Sequence, residues 1–162
     1  MPGRLTYRAL DEVGDEAFIE AMSEVSEGTL DREIQDARER LGPDGEARAF
    51  FDDAREVSHD SSWWQLAYTL EGELVGLVMP AEPPAFLTVF YIGVVSAMRG
   101  HGYVDDLLAT GTATLLTAGS EAKGKPLRAD TDVANAPMVT AFKRARWEEF
   151  ARRREYALEL AR

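Results

Sequence analysis

Residues 85–122 constrain the fold more than any other part of the chain. Ala85 to Val95 carries Phe86, Leu87, Val89, Phe90, Tyr91, Ile92, Val94 and Val95, and no charged side chain. That density of aromatic and β-branched residues predicts a strand buried on both faces. Ser96-Ala97-Met98-Arg99-Gly100-His101-Gly102-Tyr103-Val104 follows. From Tyr103 onward Leu107, Leu108, Gly111, Leu115, Leu116 and Gly119 recur at helical spacing, so a long helix presents one apolar, small-residue face. A turn with two glycines between strand and helix exposes backbone N–H groups at the positive end of the helix dipole. Such a turn suits an anion, above all a phosphate or pyrophosphate.

The residues narrow the choice of phosphate ligand. A Walker A loop needs Gly-Lys-Ser/Thr, which neither Gly100-His101 nor Gly102-Tyr103 supplies. The dinucleotide fingerprint fails at Asp105, where its third glycine would stand. What remains, Arg99-Gly100-His101-Gly102-Tyr103-Val104 after an apolar strand, resembles the R/Q-x-x-G-x-G/A signature of the GNAT superfamily of acetyl-CoA-dependent N-acetyltransferases. The resemblance implies that the loop amides bind the pyrophosphate of coenzyme A. The sequence departs from the signature at Val104, where glycine or alanine is usual.

The 162 residues suffice for one domain, spanning 1–162, with a sizeable core. Cysteine is absent, which excludes disulfides, thiolate metal sites and a cysteine nucleophile. No signal-peptide segment or transmembrane run is visible, so the cytoplasm is the expected compartment. A net charge of −11 argues against nucleic acid or an anionic membrane as partner. The acidic excess lies in residues 1–127, whereas 128–162 is slightly basic. An acidic body attracts cationic substrates, although such asymmetry is commonly just solvated surface.

In chain order, Leu5–Leu10 reads as a strand and Asp15–Val25 as an amphipathic helix stopped at Gly28. Leu30, Ile34, Ala37 and Leu41 suggest a second helix, broken by Gly42-Pro43-Asp44-Gly45, and Ala47 to Val57 a third. Trp63–Leu70 and Glu73–Pro80 read as a hairpin turning at Glu71-Gly72. After the long helix come a fifth strand, Leu127–Val133, and a helix, Ala136–Arg146, capped by Asn135 with Pro137 in its first turn. Trp147–Leu160 reads as one or two closing strands. The expected class is α/β (α+β), a mixed, mostly antiparallel sheet with helices on both faces. That order is also the GNAT order, so the resemblance covers nearly the whole chain.

A second segment, Asn135-Ala136-Pro137-Met138 with Phe142 and Arg146-Trp147, resembles the family's N-x-x-M/A-x-x-x-Y-x-x-x-G-F. The resemblance implies that Asn135 contacts the pantetheine arm. Phe142 occupies the position of a tyrosine that often protonates the departing thiolate, and it has no hydroxyl. By position the resemblance also assigns the backbone amides of Val94 and Val95 to the thioester carbonyl. Many members carry a glutamate base near the position of Thr88, yet no carboxylate lies between Ala85 and Val95. Asp130 and Asp132, alternating along the expected fifth strand, are the candidates for holding or deprotonating the amine. The alternative is a strand end in solvent, or Asp132 paired with Arg128. Trp63, Trp64 and Tyr91 are candidate walls of an acceptor pocket or else core. His59, His101 and Arg152-Arg153-Arg154 read more simply as surface.

The resulting expectation is direct acetyl transfer from acetyl-CoA to a primary amine, on a small molecule or a peptide. The loop Arg99, Gly100, His101, Gly102, Tyr103 and Val104, together with Val94, Val95, Asn135 and Phe142, forms the coenzyme site. A homodimer is compatible with the sequence. The competing reading is a non-catalytic acyl-CoA sensor or interaction module, suggested by Phe142, Val104 and the missing glutamate.

Overall fold

The computed structural model describes residues 3–118, 124–156 and 158. Five strands, β1 (Leu5–Ala9), β2 (Gln65–Thr69), β3 (Leu74–Ala81), β4 (Leu87–Val94) and β5 (Leu127–Arg128), form one sheet in that order. The first four pair antiparallel, and β5 pairs parallel with β4. The helices are α1 (Leu10–Val13), α2 (Asp15–Ser26), α3 (Arg32–Arg55), α4 (Tyr103–Ala118) and α5 (Ala136–Arg144). The mixed, mostly antiparallel sheet matches the class expected from the sequence.

Alternation along the strands divides the apolar residues into two cores. On one face Leu66, Leu77, Met79 and Val95 meet α2 and α3 through Phe18, Met22, Val25 and Phe51. On the other, Val75, Val78, Leu87 and Val89 meet Leu107, Leu108 and Leu115 of α4 and Met138 and Ala141 of α5. Two glycines allow these layers to approach. A Cβ at Gly111 would lie 2.7 Å from Val78 Cγ2, and one at Gly93 would lie 2.3 Å from Val25 Cγ1.

Several boundaries differ from the sequence expectation. The Gly42–Gly45 turn contracts to a single non-helical residue, Gly42 (φ 77°), and Pro43 starts the second half of α3. The central strand is buried only through Val89; Phe90 to Val94 are half-exposed. The fifth strand ends at Arg128, so Asp130 and Asp132 are not strand residues. Asp132 is drawn elsewhere: its Oδ1 accepts from the Ala134 amide (2.8 Å) and its Oδ2 from the Arg32 amide at the start of α3 (3.2 Å). The Asp130 side chain is 88% exposed, with Arg153 at 4.0 Å. No strand forms over residues 147–156, where Phe150 and Tyr156 are exposed; positions 157, 159 and 160 of that expected strand lie outside the described residues. The end expected for the long helix, 119–122, lies outside them as well.

Candidate active site

The site begins at a β-bulge. Met79 pairs with Tyr91 and Pro80 with Val89, which leaves Phe90 as the extra residue on β4. The bulge changes the parity of the strand. Before it, the Leu87 amide faces β5 and donates to Pro126 O (2.9 Å); after it, the Val95 amide faces β3 and donates to Val75 O (2.8 Å). Alternation then turns the backbone polar groups of Ile92 and Val94 toward the β5 side. Because β5 pairs with Leu87 and Thr88 and with no later residue of β4 among the described residues, those groups lie on an open edge. Val95, expected to help polarise a carbonyl, is therefore engaged within the sheet. The Ile92 amide is the one that shares this edge with Val94, which the sequence does not mark because parity depends on the bulge.

At the end of β4 the turn expected to bind an anion is held from behind. Arg99 Nε donates to Val94 O (3.0 Å), and its terminal nitrogens donate to Val25 O (2.9 Å), Glu27 O (2.7 Å) and Gly28 O (3.1 Å). Its guanidinium is the anchor of the loop. Gly100 and Gly102 have φ of 85° and 75°, the left-handed region in which glycine is unstrained. Arg4, which sequence reading missed, donates to the His101 and Gly102 carbonyls at 3.1 and 3.3 Å and stacks on the Tyr103 ring. With the carbonyls tied down, the amides of Gly100, His101, Gly102, Tyr103 and Val104 have no acceptor among the described residues.

Two carboxylates in the first turn of α4 favour the helix dipole but oppose an anion. Each is paired with an arginine: Asp106 with Arg4, and Asp105 with Arg144 at 3.0 Å. A groove of roughly 530 Å³ runs from Asp105 along Thr112 and Leu116 to Arg144 and Trp147. It adjoins the loop through Asp105.

Asn135 caps α5, its Oδ1 accepting from the Met138 amide at 3.3 Å. Its amide NH₂ has no partner among the described residues and remains a donor. Met138 is buried against α4, and the Phe142 ring lies 5.1 Å from that of Trp147. Trp64 is core: its Nε1 donates to Pro80 O (2.9 Å), and His59 stacks on it at 4.0 Å. Trp63 packs against the same core. Among Arg152–Arg154, Arg152 pairs with Glu149 and Arg153 with Glu155. His101 is exposed.

A buried carboxylate that the sequence does not mark is Glu46 on α3, 4% exposed. Its Oε2 accepts from Ser26 Oγ (3.0 Å), to which Arg38 also donates (2.6 Å). Burial raises its pKa, against the lowering effects of the Ser26 hydroxyl and the Arg38 charge. Tyr91 lies nearby, its pKa raised by burial first and by the charge of Glu46 second. Glu46 was hidden in sequence because helical periodicity marks faces, not which acidic residue turns inward.

No protein-family model and no curated protein sequence matches the chain. Solved structures do. A Pyrococcus furiosus protein described as a candidate acetyl transferase superposes with a TM-score of 0.65, at 16% identity, over 95% of this chain and 99% of that one. The aminoglycoside N-acetyltransferase AAC(6')-Iy, solved in complex with CoA, gives 0.58 at 15% identity over 96% and 95%. A GCN5-related N-acetyltransferase from Sphaerobacter thermophilus gives 0.58 at 19% identity over 89% of this chain and 41% of that one. The fold is that of the GNAT acetyltransferases.

Proposed function

We propose that the protein is an acetyl-CoA-dependent N-acetyltransferase acting on a primary amine by direct attack. The observation that carries this reading is one run of free amides at Gly100–Val104 beside an open β4 edge. The residues present suit coenzyme A. The loop and helix-start amides would hold the pyrophosphate, and the α4–α5 groove would take the adenosine end near Arg144. Acetyl-CoA, when bound, supplies an activated acyl thioester. The Val94 and Ile92 amides would face its carbonyl, and the Asn135 amide group would position the pantetheine arm. Phe142 would lie along the same arm and contribute no proton. Asp130 adds negative charge near the end of β5, while Asp132 fixes the start of α3.

A non-catalytic acyl-CoA sensor is the second reading, favoured by Phe142 and the absence of a carboxylate on β4. Calorimetry with acetyl-CoA, CoA, ATP and NAD, followed by thiol release over a panel of amines, separates them. Selective acetyl-CoA binding with amine-dependent thiol release supports the enzyme. Binding without release for every amine supports the sensor, and no preference for the CoA ligands sinks both.

A further inference from the structure

We propose that the aromatic layer between α3 and the bulged part of β4 carries an amine site. In it Glu46 receives the ammonium group of an acceptor carried on an aromatic or apolar stem, and Phe50, Phe90 and Tyr91 wall it. This deepens the acetyl-transfer reading and rests on it.

Glu46 and Phe50 stand one helical turn apart on α3 and therefore share a face. The Phe50 ring lies 5.7 Å from Phe90 and 4.8 Å from Tyr91. Both β4 rings pack on this side of the sheet, although they are consecutive, because the bulge interrupts the alternation. The site thus abuts Ile92, whose amide faces the open edge.

The environment of Glu46 is unusual for a core residue. A carboxylate this buried ordinarily has an ion-pair partner. Here Arg38 stops at Ser26 Oγ and the Ser23 carbonyl (2.9 Å). Oε1 of Glu46 and the Tyr91 hydroxyl have no hydrogen-bond partner among the described residues. Yet no buried side-chain nitrogen or oxygen among those residues lacks one. Both atoms therefore keep some contact with solvent. A largely buried carboxylate oxygen, one helical turn from Phe50 and near enough for its charge to act on Tyr91, suits an ammonium ion, through charge attraction and cation–π contact.

The chemistry is a single proton transfer. An N–H bond of the ammonium breaks and an O–H bond forms at Glu46 Oε1. The electron pair stays on nitrogen as the nucleophile, and the proton leaves to solvent. Burial acts first on this titration, followed by Ser26 on α2, Arg38 on α3 and Asp31 before α3; Tyr91, whose own pKa Glu46 raises, and its neighbour Arg99 face the same group.

The test is calorimetric titration of 2-phenylethylamine into protein saturated with CoA, with uncharged 2-phenylethanol as control. Wild type is expected to bind the amine at least tenfold more tightly than the alcohol, and more weakly as pH falls through the Glu46 titration. Glu46→Gln should weaken amine binding at least tenfold with CoA affinity unchanged, and Glu46→Asp should restore part of it. Equal amine affinity in wild type and Glu46→Gln overturns the site, as does a CoA-loaded wild type that binds no amine. Neither result touches coenzyme binding, whereas a wild type that fails to bind CoA removes the acetyl-transfer reading itself. Should Glu46→Gln not fold, Ser26→Ala keeps the carboxylate but removes a hydrogen bond to its ionised form. The pH midpoint of amine binding should then move upward, and an unmoved midpoint overturns the proposal.

Discussion

The Arg99 guanidinium donates to the Glu27 carbonyl at 2.7 Å, joining residues 72 positions apart. With its bonds to Val25, Gly28 and Val94, it ties the end of α2 to the end of β4 just before the glycine turn. The side chain that begins the loop motif thus holds the surrounding scaffold. In the proposed function the loop would meet the coenzyme through its backbone amides.

Arg99→Gln should therefore damage stability and coenzyme affinity together. Loss of charge-assisted bonds at a partly exposed site should cost about 1–2 kcal/mol. For a domain of this size that lowers Tm by roughly 2–8 °C. A melting curve and acetyl-CoA calorimetry on the same sample check it. An unchanged Tm would show that the four carbonyls are equally well served by water.

Gly102→Asp should separate the two properties. At φ 75° a non-glycine residue is strained by about 1 kcal/mol, and an added Cβ meets only Arg4 at 3.9 Å, so the fold should survive. The new carboxylate would sit among the amides proposed to hold pyrophosphate, and CoA affinity should fall at least about tenfold. Unaltered calorimetric affinity in the folded variant removes the loop from the coenzyme site.

The order of elements was legible because Phe86–Val95 and Leu107–Leu115 carry unambiguous strand and helix periods. Gly100 and Gly102 were legible as turn residues because their pattern has few conformational solutions. Three features were not legible. The Phe90 bulge leaves no mark in an apolar run, so the sequence did not show that the Ile92 amide faces the open edge while the Val95 amide bonds within the sheet. Alternation of Asp130 and Asp132 with small residues imitated a strand, but a local bond from the Ala134 amide and a long-range one from the Arg32 amide hold Asp132 in a loop. Tyr156 and Leu158 alternate as a strand would, yet residues 147–156 pair with no strand among the described residues, and pairing is a non-local property.

Glu46 gives a pH dependence whose sign is fixed by burial. Its folded pKa lies above its unfolded value. Between the two the folded protein holds a proton that the unfolded chain has released. Stability therefore falls as pH rises through that window, and the deficit persists at neutral pH. Glu46→Gln, neutral throughout and able to accept from Ser26, should be more stable than wild type at pH 7. The difference should shrink toward zero by about pH 4, where the carboxyl is largely protonated. Urea titrations at both pH values measure it. A variant less stable than wild type by the same margin at both would mean that packing, not charge burial, governs this position.

Phe142 is the departure that bears most directly on rate. Met138 and Phe142 lie one turn apart on α5, and the Phe142 ring is braced at 5.1 Å against Trp147. A tyrosine at this position would retain that packing and add a hydroxyl at the ring edge. Where protonation of the departing thiolate limits the reaction, a positioned acid contributes about 10²–10⁴-fold. Coenzyme A is already a fair leaving group, and the open β4 edge admits water as an alternative proton source. The wild-type protein is thus expected to be a slow but competent transferase. Phe142→Tyr should leave CoA affinity similar and keep or raise kcat, with the gain largest at high pH, where solvent protons are scarce. Steady-state thiol release over an amine panel between about pH 6 and 9, with calorimetry on both proteins, decides the matter. If Phe142→Tyr folds normally but no longer binds CoA, residue 142 is a packing contact with the coenzyme, and there is no vacant acid position to fill.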